Sequence, residues 1–210
     1  MKEYFSIEGR LVTEKVIEKS RFITTSQHVE NEDEAKAFIE EISKKYFDAT
    51  HNCYAYICDT LGNLLRFSDD GEPQGTAGMP MLDVIRNKNL RQTAVVVTRY
   101  FGGIKLGAGG LVRAYSGAVA ENLAQAQKVI YCECNEKIYT VDYSQIDVCT
   151  RYFAERECNL ISTDYLNEVS FVVATKSEHT DNFDADLINR LNGKVKIETK
   201  NKYLRAFACN

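Results

Sequence analysis

The clearest periodicity in the chain lies in NEDEAKAFIEEISKKYF, where Ala35, Phe38, Ile39 and Ile42 recur at helical spacing. Asn31 stands before it as a cap and acids fill the first turn, so the stretch predicts an amphipathic helix. Two strands are predicted ahead of it, over residues 4 to 16 and 21 to 29, paired antiparallel. After it, CYAYICDT and NLLRFSDD read as a hairpin turning at Leu61, Gly62 and Asn63. Pro80 opens a short helix through Lys88, with Leu82 and Ile85 inward. TAVVVTRYF is almost continuously apolar, the pattern of a central strand covered on both faces. From Gly107 to about Gln127 a long helix buries Leu111, Tyr115, Ala118, Val119, Leu123 and Ala126, and its small residues Gly110, Ala114, Gly117 and Ala118 permit close packing.

Beyond Cys132 the pattern changes to a regular succession: KIYTVDY as a strand, SQIDVCTRYFAERE as a helix, NLISTDYL and EVSFVVATK as a hairpin, NFDADLINRLN as a helix and VKIETKNKYLRAF as a last strand. That βαββαβ order is the ferredoxin-like, split βαβ arrangement. The expected class is α+β in two domains, 1–132 and 133–210, with no repeat, low-complexity tract or flexible linker between them.

A chain of 210 residues with 44% hydrophobic and 27% charged residues fits an ordinary soluble globular protein. Its start, MKEYFSIEGR, has no basic flank leading into an apolar run, and no stretch approaches the ~20 apolar residues that cross a bilayer, so a cytoplasmic protein without membrane contact is expected. Seven cysteines without a CxxC pair argue against a zinc site or a disulfide framework and suit reduced thiols. Cys132 and Cys134 share a strand face but have no nearby histidine to complete a metal site. The net charge is −4, with 16 basic and 17 acidic residues up to Cys132 and 10 and 13 after it, so any contact with nucleic acid must come from a local patch.

One such patch is legible. TRYFGGIKLGAGGLVRAY follows the apolar TAVVV run and holds five glycines between Arg99 and Arg113. A helix start offers unpaired backbone N–H groups and a partial positive charge, and glycine removes the Cβ atoms that keep a phosphate from the backbone. Arg99, Lys105 and Arg113 supply counter-charges, so Arg99, Gly102, Gly103, Lys105, Gly107, Gly109, Gly110 and Arg113 form a candidate anion site. Neither GxxxxGK[ST] nor a GxGxxG followed by an acid is present. The other reading of the same glycines is structural, a sharp turn and tight helix packing.

SDDGEPQGTAGMP contains three glycines and both prolines of the chain and predicts a long loop. Its Asp69, Asp70 and Glu72 stand open to two readings: Mg²⁺ carboxylates or partners for a basic ligand, or a turn whose acids face water. His51 begins a strand, and Cys53 shares its face. A structural histidine, a general base and a Cys-His dyad are the readings there, though nothing nearby marks the thiol as activated.

DDGEPQGTAGMPML and VVVTRYFGGIKLGAGGLVRAYS, with KSRF at 19 to 22 and HNCYAY at 51 to 56, resemble the YigZ/IMPACT family over the whole first domain. The residues of these stretches, Ser20, Arg21, His51, Asp69, Asp70, Glu72 and Thr76, are candidates for a second side of the site. The resemblance implies a first domain like the second domain of a small-subunit ribosomal protein and a second like the fifth domain of elongation factor G. It implies an association with translation and binding of RNA or the ribosome. Eukaryotic relatives act in the general control kinase pathway through an added amino-terminal domain that binds a scaffold protein, a domain not expected here. The implied fold also includes the GHMP small-molecule kinases, but the serine-rich pair of their loop is absent, with Gly109, Gly110 and Leu111 in its place. The alternatives are an enzyme acting with Mg²⁺ on a nucleotide or phosphorylated small molecule, and a protein-binding adaptor. No resident cofactor or metal is expected.

Overall fold

The computed structural model describes residues 3–209 and divides into two compact units, the first from Glu3 to Val129 and the second from Ile130 onward. The division at Val129 and Ile130 lies inside a continuous strand, Lys128–Val141.

In the first unit, β1 (Glu3–Ile7), β2 (Arg10–Ile17) and β3 (Ser20–His28) precede α1 (Glu32–Lys45). The first predicted strand is broken in two because Gly9 takes a positive φ of 66° that ends β1 and turns the chain. Asn31 caps α1 as expected, its side chain accepting from the Glu34 N–H at 2.9 Å. There follow β4 (His51–Ile57), β5 (Leu65–Ser68), α2 (Gly78–Asn87), β6 (Thr93–Tyr100) and α3 (Gly107–Gln125). Helix α2 starts two residues before Pro80, since proline is tolerated within a first turn.

The sheet order is β2-β3-β6-β4-β5, antiparallel at every pairing. β6 is its central strand, and alternation along it feeds two cores. Val95 and Val97 pack with Leu82 and Ile85 of α2 and with Leu111, Tyr115 and Val119 of α3. Ala94 and Val96 pack with Phe38 and Ile42 of α1. The near-continuous apolar run thus reflects helices on both faces.

The second unit holds most of β7 (Lys128–Val141), then α4 (Ile146–Ala154), β8 (Cys158–Tyr165), β9 (Val169–Lys176), α5 (Thr180–Arg190) and β10 (Lys196–Ala208). Strand β9 pairs antiparallel with both β7 and β8, and β10 pairs with β7. Tyr139, Phe171 and Val173 of the sheet share a core with Tyr152 and Phe153 of α4 and Phe183 and Leu187 of α5. The class is α+β, with five α-helices on two sheets among the described residues. Among the described residues no helix is long and apolar enough to cross a membrane.

Candidate functional site

Cross-strand register brings the candidate residues of the first unit together. Phe22 of β3 and His51 of β4 both stand opposite Arg99 of β6, so the three form a row across the sheet. Arg99 is on the same face as Val95 and Val97, because side chains alternate along a strand. Its charge is therefore carried inward, beneath α3, and not out to the glycine loop.

Glu72 meets it there. Arg99 Nη1 donates to Glu72 Oε1 at 2.6 Å, with side-chain exposures of 5% and 3%. The same oxygen accepts from the Tyr115 hydroxyl of α3 at 2.7 Å. Arg99 Nη2 donates to Ser20 Oγ at 3.2 Å, and Ser20 Oγ also accepts from the Gly102 N–H. The guanidinium lies 5.4 Å from the Phe22 ring centre and 5.5 Å from that of Phe101. Arg99 thus departs from its predicted part as an anion contact: burial makes an intramolecular carboxylate its partner.

The acidic loop is organised by its own carboxylates. Asp69 accepts from the backbone N–H groups of Gly75, Ala77 and Gly78 at 2.8–3.0 Å, closing the loop onto the start of α2. Burial works against its ionisation, but those three donors prevail and hold the carboxyl below the usual aspartate range. Asp70 Oδ2 accepts from the Asn52 N–H at 2.6 Å. Thr76 Oγ1 donates to the Pro73 carbonyl. Among the described residues no three of these acids, histidines and cysteines converge as a metal-ligand set.

His51 Nδ1 lies 2.7 Å from the Asp70 carbonyl oxygen, and its Nε2 lies 3.9 Å from Glu72 Oε2. Cys53 does not join it in a dyad. Its Sγ is 2.9 Å from the Asp69 carbonyl and 3.4 Å from the Tyr115 hydroxyl, and burial pushes the thiol up to about 12. A thiol so held is a core group, not a nucleophile. Arg21 is turned to the opposite sheet face, bonded to Glu14 at 2.7 Å, so it does not line this site either. Cys132 and Cys134 are buried with Ala174 and Phe207 in the core of the second unit.

The glycine loop itself is built by close approach. A Cβ on Gly102 would lie 2.0 Å from the Lys19 carbonyl carbon, so only glycine lets this segment cross the β2–β3 turn. That turn places Glu18 and Lys19 at φ of 45° and 63°, both left-handed. Beyond it, α3 begins without any side-chain cap, and open space surrounds the Cβ positions of Gly107 and Gly109. Ile17, Glu18, Ile104, Lys105, Leu106 and Arg113, with Gly110 and Ala114, line a groove of about 410 Å³ beside this helix start. Lys105 and Arg113 are exposed and have no side-chain partner among the described residues.

The sequence-predicted residues thus separate into a buried cluster of Ser20, His51, Glu72 and Arg99 and an outer groove at Gly107, Gly109, Gly110, Lys105 and Arg113. Sequence reasoning missed Tyr115 as a polar member of the first, since at helical spacing it reads only as core; its hydroxyl opposite an acid-rich loop was the available signal.

Comparison with known proteins agrees with this architecture. Residues 18–123 match the family model described as the Impact N-terminal domain, and residues 140–194 match a domain of unknown function, DUF1949. The chain is 40% identical to the IMPACT family member YvyE of Bacillus subtilis over 93% of its own length and 90% of the relative's. It is 36% identical to the IMPACT family member YigZ of Escherichia coli over 86% and 90%. With the eukaryotic protein IMPACT homolog of Dictyostelium discoideum the match, at 36% identity, covers 47% of this chain and 28% of that one. A crystal structure of a hypothetical protein superimposes with a TM-score of 0.62 at 32% identity, covering 96% of this chain and 98% of the other. A family model spanning half the chain and relatives this similar over most of their lengths place the chain in the IMPACT family.

Proposed function

We propose that this protein is a translation-associated regulatory protein that binds RNA or a ribosomal surface through the start of α3. The observation that carries this reading is the pairing of two unpartnered cations, Lys105 and Arg113, with a helix start whose N–H groups no side chain caps. Helix N-termini favour anions through their free donors and their dipole, and the open Cβ positions at Gly107 and Gly109 let a phosphate reach the backbone. Membership of the IMPACT family supports a regulatory, translation-related role. On the same reading the first unit has the fold of the ribosomal-protein second domain, and the second, with strands in the order β10-β7-β9-β8, has the ferredoxin-like fold of the fifth domain of elongation factor G.

Titration of a fluorescent structured RNA at low salt tests the assignment. Arg113→Glu is expected to weaken binding by at least tenfold, because it replaces a phosphate contact by a repulsive charge. Unchanged affinity in that variant would remove the groove from the reading.

A further inference from the structure

Strand β2 is an edge of the first unit's sheet and, among the described residues, pairs with β3 alone. Its backbone has a defined outward set. The two-residue turn at Glu18 and Lys19, left-handed at both positions, makes Ile17 and Ser20 a hydrogen-bonded closing pair. Bonded and non-bonded pairs alternate along an antiparallel ladder, so Leu11, Thr13, Lys15 and Ile17 turn their N–H and C=O groups to β3. The far end agrees, where the His28 N–H donates to the Gly9 carbonyl. Arg10, Val12, Glu14 and Val16 therefore turn theirs outward, away from the sheet. Their side chains share one face, on which Val12 is 48% and Val16 65% exposed. Neither proline nor bulge interrupts this edge, so charge alone guards it against pairing with another strand.

We infer that β2 pairs antiparallel with β2 of a second copy of this chain, about a two-fold axis through Val12. In that register Val12 exchanges both backbone hydrogen bonds with the partner's Val12, while Arg10 stands opposite the partner's Glu14 and Glu14 opposite the partner's Arg10. Every backbone group so used belongs to the outward set. Charge selects this register. Within one chain Arg10 holds Glu41 at 2.5 Å and Glu14 holds Arg21 at 2.7 Å, each side chain at least 38% exposed. Two-fold pairing keeps each sheet face continuous, so the exposed face gains the alternating row Glu41, Arg10, the partner's Glu14 and the partner's Arg21. Centring the pair on Glu14 would set two carboxylates against each other. Centring it on Thr13 would oppose Arg10 to the partner's Val16 and Glu14 to the partner's Val12, with no charge satisfied. The paired stretch is short, which makes the interface one of the weak, reversible class. Its residues, 10 to 14, lie outside the α3 groove and do not depend on it.

Sedimentation equilibrium of the full chain over a concentration series tests the pairing. The parent is expected to show reversible monomer–dimer association. Arg10→Glu and Glu14→Arg each set like charges opposite one another on both sides of the axis, and each is expected to weaken association by about tenfold or more. An equimolar mixture of these two variants is expected to restore it, because in the mixed dimer every charge again meets its opposite. Val12→Pro removes an N–H that β3 does not use and is expected to abolish the dimer while circular dichroism shows a folded chain. If that variant fails to fold, the charge variants carry the test alone. Association unchanged in either charge variant, or a mixture no more associated than its components, would overturn the inference. So would a parent that is monomeric at every concentration, which would leave this edge to an extended segment of another protein.

Discussion

Neither charge of the Arg99–Glu72 pair is screened by water, so removing one partner strands the other in the interior. Arg99→Met is expected to cost about 3–5 kcal/mol in urea unfolding, whereas the Arg99→Met/Glu72→Met double variant is expected to lie closer to the parent than either single change. A double variant as unstable as the sum of the singles would mean that the two side chains are not energetically coupled. Cysteine chemistry divides along the same line of burial. Cys53 is fully buried with its thiol near 12, and burial also lifts Cys58, Cys149 and Cys158, while Cys209 is exposed. Iodoacetamide at pH 8 is therefore expected to modify Cys209 rapidly and Cys53 only on unfolding, as read by mass spectrometry of native and denatured protein. The linkage has a definite sign. An unfolded thiol ionises near 8.5 and folded Cys53 only near 12, so above the lower value the unfolded state loses the proton first and stability falls as pH rises.

Helix α3 and the loop that feeds it carry glycines of two kinds, and substitution separates them. Gly102 crosses the Lys19 backbone with no room for a methyl group, so Gly102→Ala is expected to destabilise by about 3 kcal/mol or more. Gly109 lies in the first turns of α3 with open space at its Cβ, so Gly109→Ala is expected to stabilise by up to about 1 kcal/mol while weakening RNA binding through the lost backbone approach. A variant that gained stability and kept its affinity would show that no phosphate reaches that turn. At this scale much of the molecule was legible in the sequence. Asn31 and the 35-38-39-42 spacing gave α1, and the apolar run of β6 announced a strand covered on both faces. The direction of Arg99 was also there, since alternation from Val95 and Val97 points it inward, but its charge suggested solvent. What no spacing could reveal is that Glu72, from a loop without periodicity, folds back over β6 to meet it. Long-range partners set by a loop's backbone turns, here positive φ at Asp70, Gly71 and Gly75, leave no local pattern to read.

For the whole molecule, an excess of four negative charges means that a polyanion is repelled everywhere except at a local patch. With Arg99 neutralised by Glu72 and Arg21 by Glu14, the groove beside α3 offers two cations, Lys105 and Arg113. If this groove seats RNA phosphates, as proposed, counterion release fixes the salt dependence of that binding. Two phosphates neutralised give a slope of log affinity against log salt of about −1.4 for single strands and about −1.8 for a duplex. Lys105→Ala and Arg113→Ala should each reduce that slope by just under one unit, and Arg99→Met should leave it unchanged while lowering stability. The measurement is a fluorescence titration of one structured RNA across several salt concentrations. A slope of four or more in the parent chain would show that further cations engage phosphate and that the groove is only part of a wider surface. A slope lost on substituting Arg99 would mean that Glu72 releases it to the RNA, so that the buried pair opens on binding.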